Sequence, residues 1–270
     1  MLETLSLYLA FGALAGTLSG LFGIGGGVVI VPFLSWQLVA LGFPERSIMV
    51  VAVATSLATI VVTSVSAVYS HHRRGAVDWG TVAKLAPGIL VGSLLGSVIA
   101  DLLPVPVFKL IFAGFLLFVA LRMLTTAHGA SRKSWFPSSL GYGLAGLAIG
   151  SLSAMLGIGG GTMTVPYLAK CRYSMRHAVA ISSACGFPIA LAGVTGYIVL
   201  GWNRSELPAL SLGYIYLPAF AGIVVTSVLF APLGAWLAHS LPTVRLKRLF
   251  ALALLAIGTK MLWPWLVALT

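Results

Sequence analysis

Acid is the scarcest ingredient of this sequence: 270 residues carry five Asp+Glu. They are Glu3, Glu45, Asp78, Asp101 and Glu206, and each lies at the end of an apolar run or in a loop. Cation pathways and proton relays in membranes normally use carboxylates inside the spans, so this pattern argues against a cation carrier. Charge of either sign is rare, at 8% of residues against about 25% in soluble domains. Hydrophobic residues make up 59%, and mean hydropathy is +1.06. Such a chain cannot cover a water-facing surface. It reads as an integral membrane protein with room for roughly eight to ten spans of about 20 residues.

Cysteine and well-placed histidine are lacking too. Cys171 and Cys185 show no C-x-x-C or Cys/His spacing, which argues against a disulfide framework or metal site, and no cofactor is implied. A membrane serine protease needs an activated Ser with a base in reach. Ser19 precedes Gly20, but His71, His72, His177 and His239 fall at span ends and His128 in a linker, so the chain does not read as an enzyme. Cations dominate what charge there is, with Lys+Arg 16 and a net +11. Lys- and Arg-rich cytoplasmic loops account for this, and no basic cluster interleaved with aromatics suggests nucleic acid. Ala13-Leu-Ala15 imitates a signal-peptide cleavage site. The segment before it carries Glu3 and no Lys or Arg, so it reads as mature structure.

What the sequence does have is one glycine-rich stretch twice. The first copy runs Gly16-Thr-Leu-Ser19-Gly-Leu-Phe-Gly23-Ile24-Gly25-Gly26-Gly27-Val28-Val-Ile-Val-Pro32-Phe-Leu34. The second runs Gly150-Ser-Leu-Ser153-Ala-Met-Leu-Gly157-Ile158-Gly159-Gly160-Gly161-Thr162-Met-Thr-Val-Pro166-Tyr-Leu168, without a gap. Upstream, Gly12, Gly16 and Gly20 match Gly146, Gly150 and Ala154. Each Gly costs about 1 kcal/mol in a helix interior relative to Ala. Three in succession mark a break, and a break repeated in both halves of a membrane protein points to a binding site.

Residues 5–44 hold no charge and predict a helical hairpin: one helix to about Phe22, a glycine tip, and a second over 28–41. Spans follow over 47–70, 79–100 and 107–124, with a turn at 103–106 and a polar linker over 125–134. The second half predicts a hairpin over 135–169, a span over 178–200, and an apolar run over 207–238 interrupted by Pro218 and Pro232. A last span carries Lys247 to Leu262, matching Lys109 to Leu124. The expected organisation is a first repeat over 1–128, a linker over 129–136 and a second repeat over 137–270.

Parity decides the relation of the halves. If each hairpin enters and leaves on one side, one face receives Arg73, Arg74, Arg122, Arg132, Lys133, Lys170, Arg172, Arg176, Arg245, Lys247 and Arg248. The other receives Arg46, Lys109, Arg204 and Lys260. If each hairpin counts as one crossing, the bias nearly vanishes. The positive-inside rule therefore favours two inverted repeats with both termini outside the cytoplasm. The fold class is an all-α integral membrane protein, each repeat a glycine-broken hairpin plus three transmembrane helices.

The glycine loops do not fit a nucleotide fingerprint, since Val28 stands where G-x-G-x-x-G needs its last glycine. A helix that begins at such a tip instead offers unpaired N–H groups and a positive dipole end, which bind anions. Gly25, Gly26, Gly27 and Val28, with Gly159, Gly160, Gly161 and Thr162, are the expected backbone site. Gly12, Gly16, Gly20, Gly88, Gly92 and Gly96 read as close-packing positions instead. Thr55 and Ser56, with Ser182 and Ser183 in the equivalent span, can donate to anion oxygens. Ser19 and Ser153 lie just before the tips. Hydroxyls of this kind also serve as interhelical glue.

The paired G-x-G-G-G-x-x-x-x-P segments, the Ala54-Thr-Ser-Leu57 run and the His-x-x-x-Gly-x-Val-Asp-Trp loop over 71–79 resemble the TauE/SafE sulfite-exporter family. So does the Ser-Ala-Cys-Gly-Phe-Pro-Ile-Ala run over 183–190, leading to Gly193 and Tyr197. The resemblance covers essentially the whole chain. It implies a multi-pass permease of bacterial cytoplasmic membranes moving sulfite, organosulfonates or related anions, with export and alternating access the expected mode. One departure is Ile181-Ser182-Ser183 where the first copy has Ala54-Thr55-Ser56. The alternatives are transport of another small organic anion, such as a carboxylate, and a membrane assembly factor without transport. The partners implied are a small anionic substrate and membrane lipid, with a homodimer allowed.

Overall fold

The computed structural model describes residues 2–22, 26–125, 137–171, 173–240 and 243–268, and these are almost wholly helical. The first half contributes α1 (Leu2–Phe22), α2 (Gly27–Ala40), α3 (Glu45–Arg73), α4 (Trp79–Leu102) and α5 (Val105–Thr125). The second contributes α6 (Ser139–Leu156), α7 (Gly161–Lys170), α8 (Met175–Gly201), α9 (Leu217–Ser240) and α10 (Thr243–Ala268). Helices α3, α4, α5, α6 and α8 are long and apolar enough to cross a membrane. The protein is an all-α, multi-pass membrane protein in which each half has a glycine-broken hairpin followed by three further helices.

The helix limits have local causes. Asp78 caps α4 by accepting from the amides of Gly80 (3.0 Å) and Thr81 (3.3 Å). Ser138 caps α6 through the Gly141 amide, and Ser174 caps α8 through that of His177. These side chains satisfy donors that a helix start leaves bare. The run expected as one span from 207 differs. A two-stranded antiparallel hairpin, β1 (Ser211–Leu212) and β2 (Ile215–Tyr216), precedes α9. Gly213 turns it at φ 56, with the Ile198 backbone against the side where a Cβ would stand. The expected linker over 129–136 lies outside the described residues.

Helix α3 sits at the centre, buried without interruption from Ser47 to Ile60. The halves interlock around it. Helix α1 lies along α9 and α6 lies along α4, the two most extensive pairings, while α5 packs on α10. A Cβ on Gly88, Gly92 or Gly96 would run into the carbonyl of Gly143, Leu147 or Ser151 on α6. Gly12 and Gly16 meet α9 at Ile223, Thr226 and Ser227 in the same way. Lipid tails are as apolar as Leu, so membrane helices associate through such close backbone approach and through hydrogen bonds. Ser151 Oγ donates to the Gly92 carbonyl (2.9 Å) and Ser227 Oγ to the Gly12 carbonyl (2.9 Å).

Contacts at the helix ends set the directions. Arg176, at the start of α8, donates to the Arg74 carbonyl just past α3 (3.5 Å). Arg46, at the start of α3, lines the same cavity as Arg204, just past α8. Helices α3 and α8 therefore run antiparallel. Helices α4 and α8 run parallel: Tyr173 before α8 donates to Asp78 before α4 (2.9 Å), and Arg204 pairs with Asp101 in the last turn of α4 (3.2 Å). The hairpins close on themselves. Tyr8 near the start of α1 and Phe43 beyond α2 both pack on Tyr216, and Tyr142 of α6 packs on Tyr167 of α7.

Gly92→Ala is expected to lower stability by about 1–3 kcal/mol, because its methyl group collides with a backbone carbonyl that cannot yield. Gly114→Ala on α5, where a Cβ meets nothing within 4 Å, is expected to be neutral or stabilising. Thermal unfolding of both variants in detergent checks the contrast.

Candidate functional site

The second tip is built from a left-handed glycine and a bare helix start. Helix α6 stops at Gly157, at φ 68, whose amide reaches the Ala154 carbonyl while the Ile158 amide reaches that of Ser153 (2.9 Å). Only glycine takes such a backbone without steric cost. Helix α7 then begins at Gly161 behind Gly160, and α2 begins at Gly27 behind Gly26; neither has a side-chain cap. Their first amides keep the partial positive charge of an unpaired N-terminus. Gly26 (φ −59) and Gly160 (φ −55) are helical, so the need for positive φ falls on Gly157 among the described tip residues.

The tips touch each other. Ser56 Oγ on α3 donates to the buried Gly157 carbonyl (2.8 Å). A Cβ on Gly27 would overlap that same carbonyl and stand 3.0 Å from the Ile158 Cα. A Cβ on Gly157 would lie 2.8 Å from Val31 and 3.0 Å from the Val53 backbone. The end of α6 is thus wedged between α2 and α3 of the first half.

The expected hydroxyls divide into two groups. Thr55 Oγ1 accepts from the Tyr216 amide (3.0 Å), which ties β2 to α3. Ser183 Oγ donates to the Val179 carbonyl of its own helix (2.9 Å). With Ser56, these make bonds within the protein. Ser153, Ser182 and Thr162 are different: their hydroxyl oxygens are buried with no protein partner. Thr164 joins them, fully buried and equally unpartnered. A buried hydroxyl left unmet costs about 1–3 kcal/mol, so these four, on α6, α7 and α8, need an explanation. Sequence reasoning missed Thr164; the signal was a polar pair, Thr162 and Thr164, where the first copy has Val28 and Ile30. Buried Val28 brings only its backbone to the first tip. Gly25 lies outside the described residues, and Gly159 is buried in the second tip.

Ser19 lines a crevice at the first tip with Gly26, Thr59, Thr63 and Ser227. Its volume is about 20 Å³, room for about one water. A larger cavity of about 440 Å³ opens at the end of the helices near Arg46, Asp101, Arg204, Glu206 and Tyr214. Burial, then the Asp101 carboxylate beside it, push the Tyr214 phenol up to about 12, so it remains a donor to Asp101. At the opposite end burial works to raise the Asp78 carboxyl. Hydrogen bonds from Thr81, Tyr173 and the Gly80 amide outweigh it and hold Asp78 below the usual range. A depressed carboxylate contributes stability above its unfolded value of about 3.9 and loses it as pH falls through the folded one. The Asp78–Tyr173 link between the halves is therefore intact at neutral pH.

A family model described as "Sulfite exporter TauE/SafE" matches residues 8–261. The chain belongs to the TauE/SafE family. A Haemophilus influenzae protein named "Probable membrane transporter protein" is 38% identical over 97% of this chain and 99% of its own length. A similarly named Methanocaldococcus jannaschii protein is 29% identical over 85% and 82%. Bacillus subtilis YunE, also named a probable membrane transporter, is 24% identical over 95% and 97%. No solved structure matches the chain. This TauE/SafE protein is thus a membrane transporter and not an enzyme.

In this TauE/SafE transporter, Ser56→Ala is expected to remove about 1–3 kcal/mol of stability by stranding the Gly157 carbonyl. Ser183→Ala, which leaves that carbonyl bonded, is expected to change stability by well under that. Loss of transport in Ser56→Ala without any fall in melting temperature would instead make its hydroxyl a substrate donor.

Proposed function

We propose that this transporter moves a small sulfur-containing anion, such as sulfite or an organosulfonate, outward by alternating access around a central site between the two glycine tips. The observation that carries the reading is the uncapped start of α7 beside Thr162, Thr164 and Ser182, whose buried hydroxyls have no protein partner. Carboxylates support it by their position: the described Asp and Glu residues lie at helix ends or in loops. The family description, sulfite exporter, supports the sulfur-anion class. Flux of radiolabelled sulfite into proteoliposomes, set beside a sulfonate and a carboxylate, tests the assignment. Faster flux of a carboxylate than of either sulfur anion would overturn the substrate class, and no flux at all would overturn transport through this site.

Inverted repeats belong to the same proposal. The antiparallel run of α3 and α8, equivalent helices in the two halves, supports it. So does the excess of Lys and Arg on the face holding Arg74 and Arg176. The C-terminus is then expected outside the cytoplasm. C-terminal fusions to one reporter active only outside and one active only in the cytoplasm check this, and a strong cytoplasmic signal contradicts it.

Charge also selects among substrates. Each helix start offers about half an elementary positive charge, so two offset about one negative charge. A dianion would be left with charge unmatched at depth, which costs several kcal/mol. Bisulfite is therefore expected to bind better than sulfite, so that total-sulfite affinity falls as pH rises through neutrality. Sulfonate affinity is expected to stay nearly flat over that range. Sulfate binding tighter than both would contradict the charge argument.

A further inference from the structure

We infer that Gly186 of α8 is a binding-site residue: by carrying no side chain, it leaves room for the anion in front of the Gly160 amide. The inference rests on the anion site proposed above and locates the substrate head within it.

Glycine inside a helix costs stability relative to alanine, so each one there calls for a reason. Packing supplies it for the other glycines of α8. A Cβ on Gly193 would press into Leu57, one on Gly196 into Ser97, and one on Gly201 into the backbone of Gly213 and Tyr214. Gly186 is different. It is buried, yet a Cβ there would meet only the Gly160 nitrogen and the Ser64 Cβ, each at 4.0 Å, an ordinary contact distance. Gly114, where a Cβ meets nothing within 4 Å, is exposed. No neighbour demands glycine at 186, and the chain forgoes a methyl group that would fit.

The Gly160 amide facing this position is itself unpaired. Gly160 is buried, and among the described residues no group accepts from its N–H. Orphaned buried N–H groups are rare in native proteins. Gly160 stands one residue ahead of α7, whose start has no side-chain cap. Thr164 adds a second donor. It is 0% exposed, its hydroxyl has no protein partner, and its Oγ1 stands 3.0 Å from where a Gly160 Cβ would be. An amide and a hydroxyl, both buried, thus lack acceptors at Gly160. An anion supplies acceptors, and a helix start favours its charge.

The first half lacks this room. Counting on from the correspondence of Ser56 with Ser183 puts Thr59 where α8 has Gly186. Thr59 is fully buried and lines the crevice beside Gly26, whose volume is about 20 Å³. A side chain at this position narrows the space at the first tip, and glycine leaves it clear at the second. The substrate head is thereby assigned to the second tip, bounded by Ser64 of α3.

The test measures methanesulfonate binding to the purified full chain in nanodiscs by calorimetry. Native protein is compared with Gly186→Ala and with Gly114→Ala as control, and ligand-free melting temperatures are taken alongside. Gly186→Ala is expected to melt no lower than native protein, because its methyl group meets no close neighbour. It is expected to bind methanesulfonate about tenfold more weakly, because that methyl takes space the anion needs. Gly114→Ala is expected to bind as native protein does. Native affinity in folded Gly186→Ala overturns the inference and leaves the anion site standing. A clear fall in its melting temperature, or failure to fold, also overturns the inference, since packing would then be the reason for the glycine. Equal weakening in Gly114→Ala does the same. Native protein that does not bind methanesulfonate overturns the sulfur-anion reading itself.

Discussion

Backbone polar groups at membrane depth must find partners inside the protein, because lipid offers none. The bond from Ser56 to the Gly157 carbonyl meets this demand where the chain breaks its second hairpin. Much else follows from it. Gly27 has to be glycine because that carbonyl occupies its side-chain space. Gly157 has to be glycine because its left-handed turn packs on Val53. The carbonyl end of the break is thereby sealed against the first half. The amide end, at the start of α7, is left uncapped. A break that buries its acceptors and keeps its donors open suits an anion.

The rest of the fold holds this break in place. Glycine rows let α4 approach α6 and α1 approach α9, so each half's hairpin is gripped by the other half's fourth helix. Asp78 and Asp101, at the two ends of α4, accept from Tyr173 and Tyr214 of the second half. Helix α4 is thus tied to the second half at both ends as well as along its length. Asp78, Asp101 and Glu45 thus fasten helix ends to one another.

The hairpins and the glycine rows are legible in the sequence, because Gly and Pro punctuate an otherwise uniform apolar chain. Helix limits came close: 28–41 was expected for α2 where Gly27–Ala40 forms. Four features were hidden. The β1–β2 hairpin sits in an apolar run that has no alternation to mark it. Ser56 and Ser183 look like Ser182 in sequence, but their hydroxyls donate to the Gly157 and Val179 carbonyls, while Thr55 accepts from the Tyr216 amide. Which hydroxyls are free depends on tertiary neighbours that no local pattern records. Thr164 is not set apart in sequence from the helical threonines that bond their own backbone, such as Thr17 and Thr195. The left-handed turn falls on Gly157, before its triplet, and no local pattern singles that glycine out.

Binding of the substrate head at the start of α7 can be seen directly. Crystals grown with 2-bromoethanesulfonate would locate a bound anion directly through the anomalous signal of bromine. A peak is expected beside Gly160, Thr164 and Ser182, with the sulfonate oxygens facing the first amides of α7. A peak confined to the cavity around Arg46 and Arg204, with none at the tip, would contradict it.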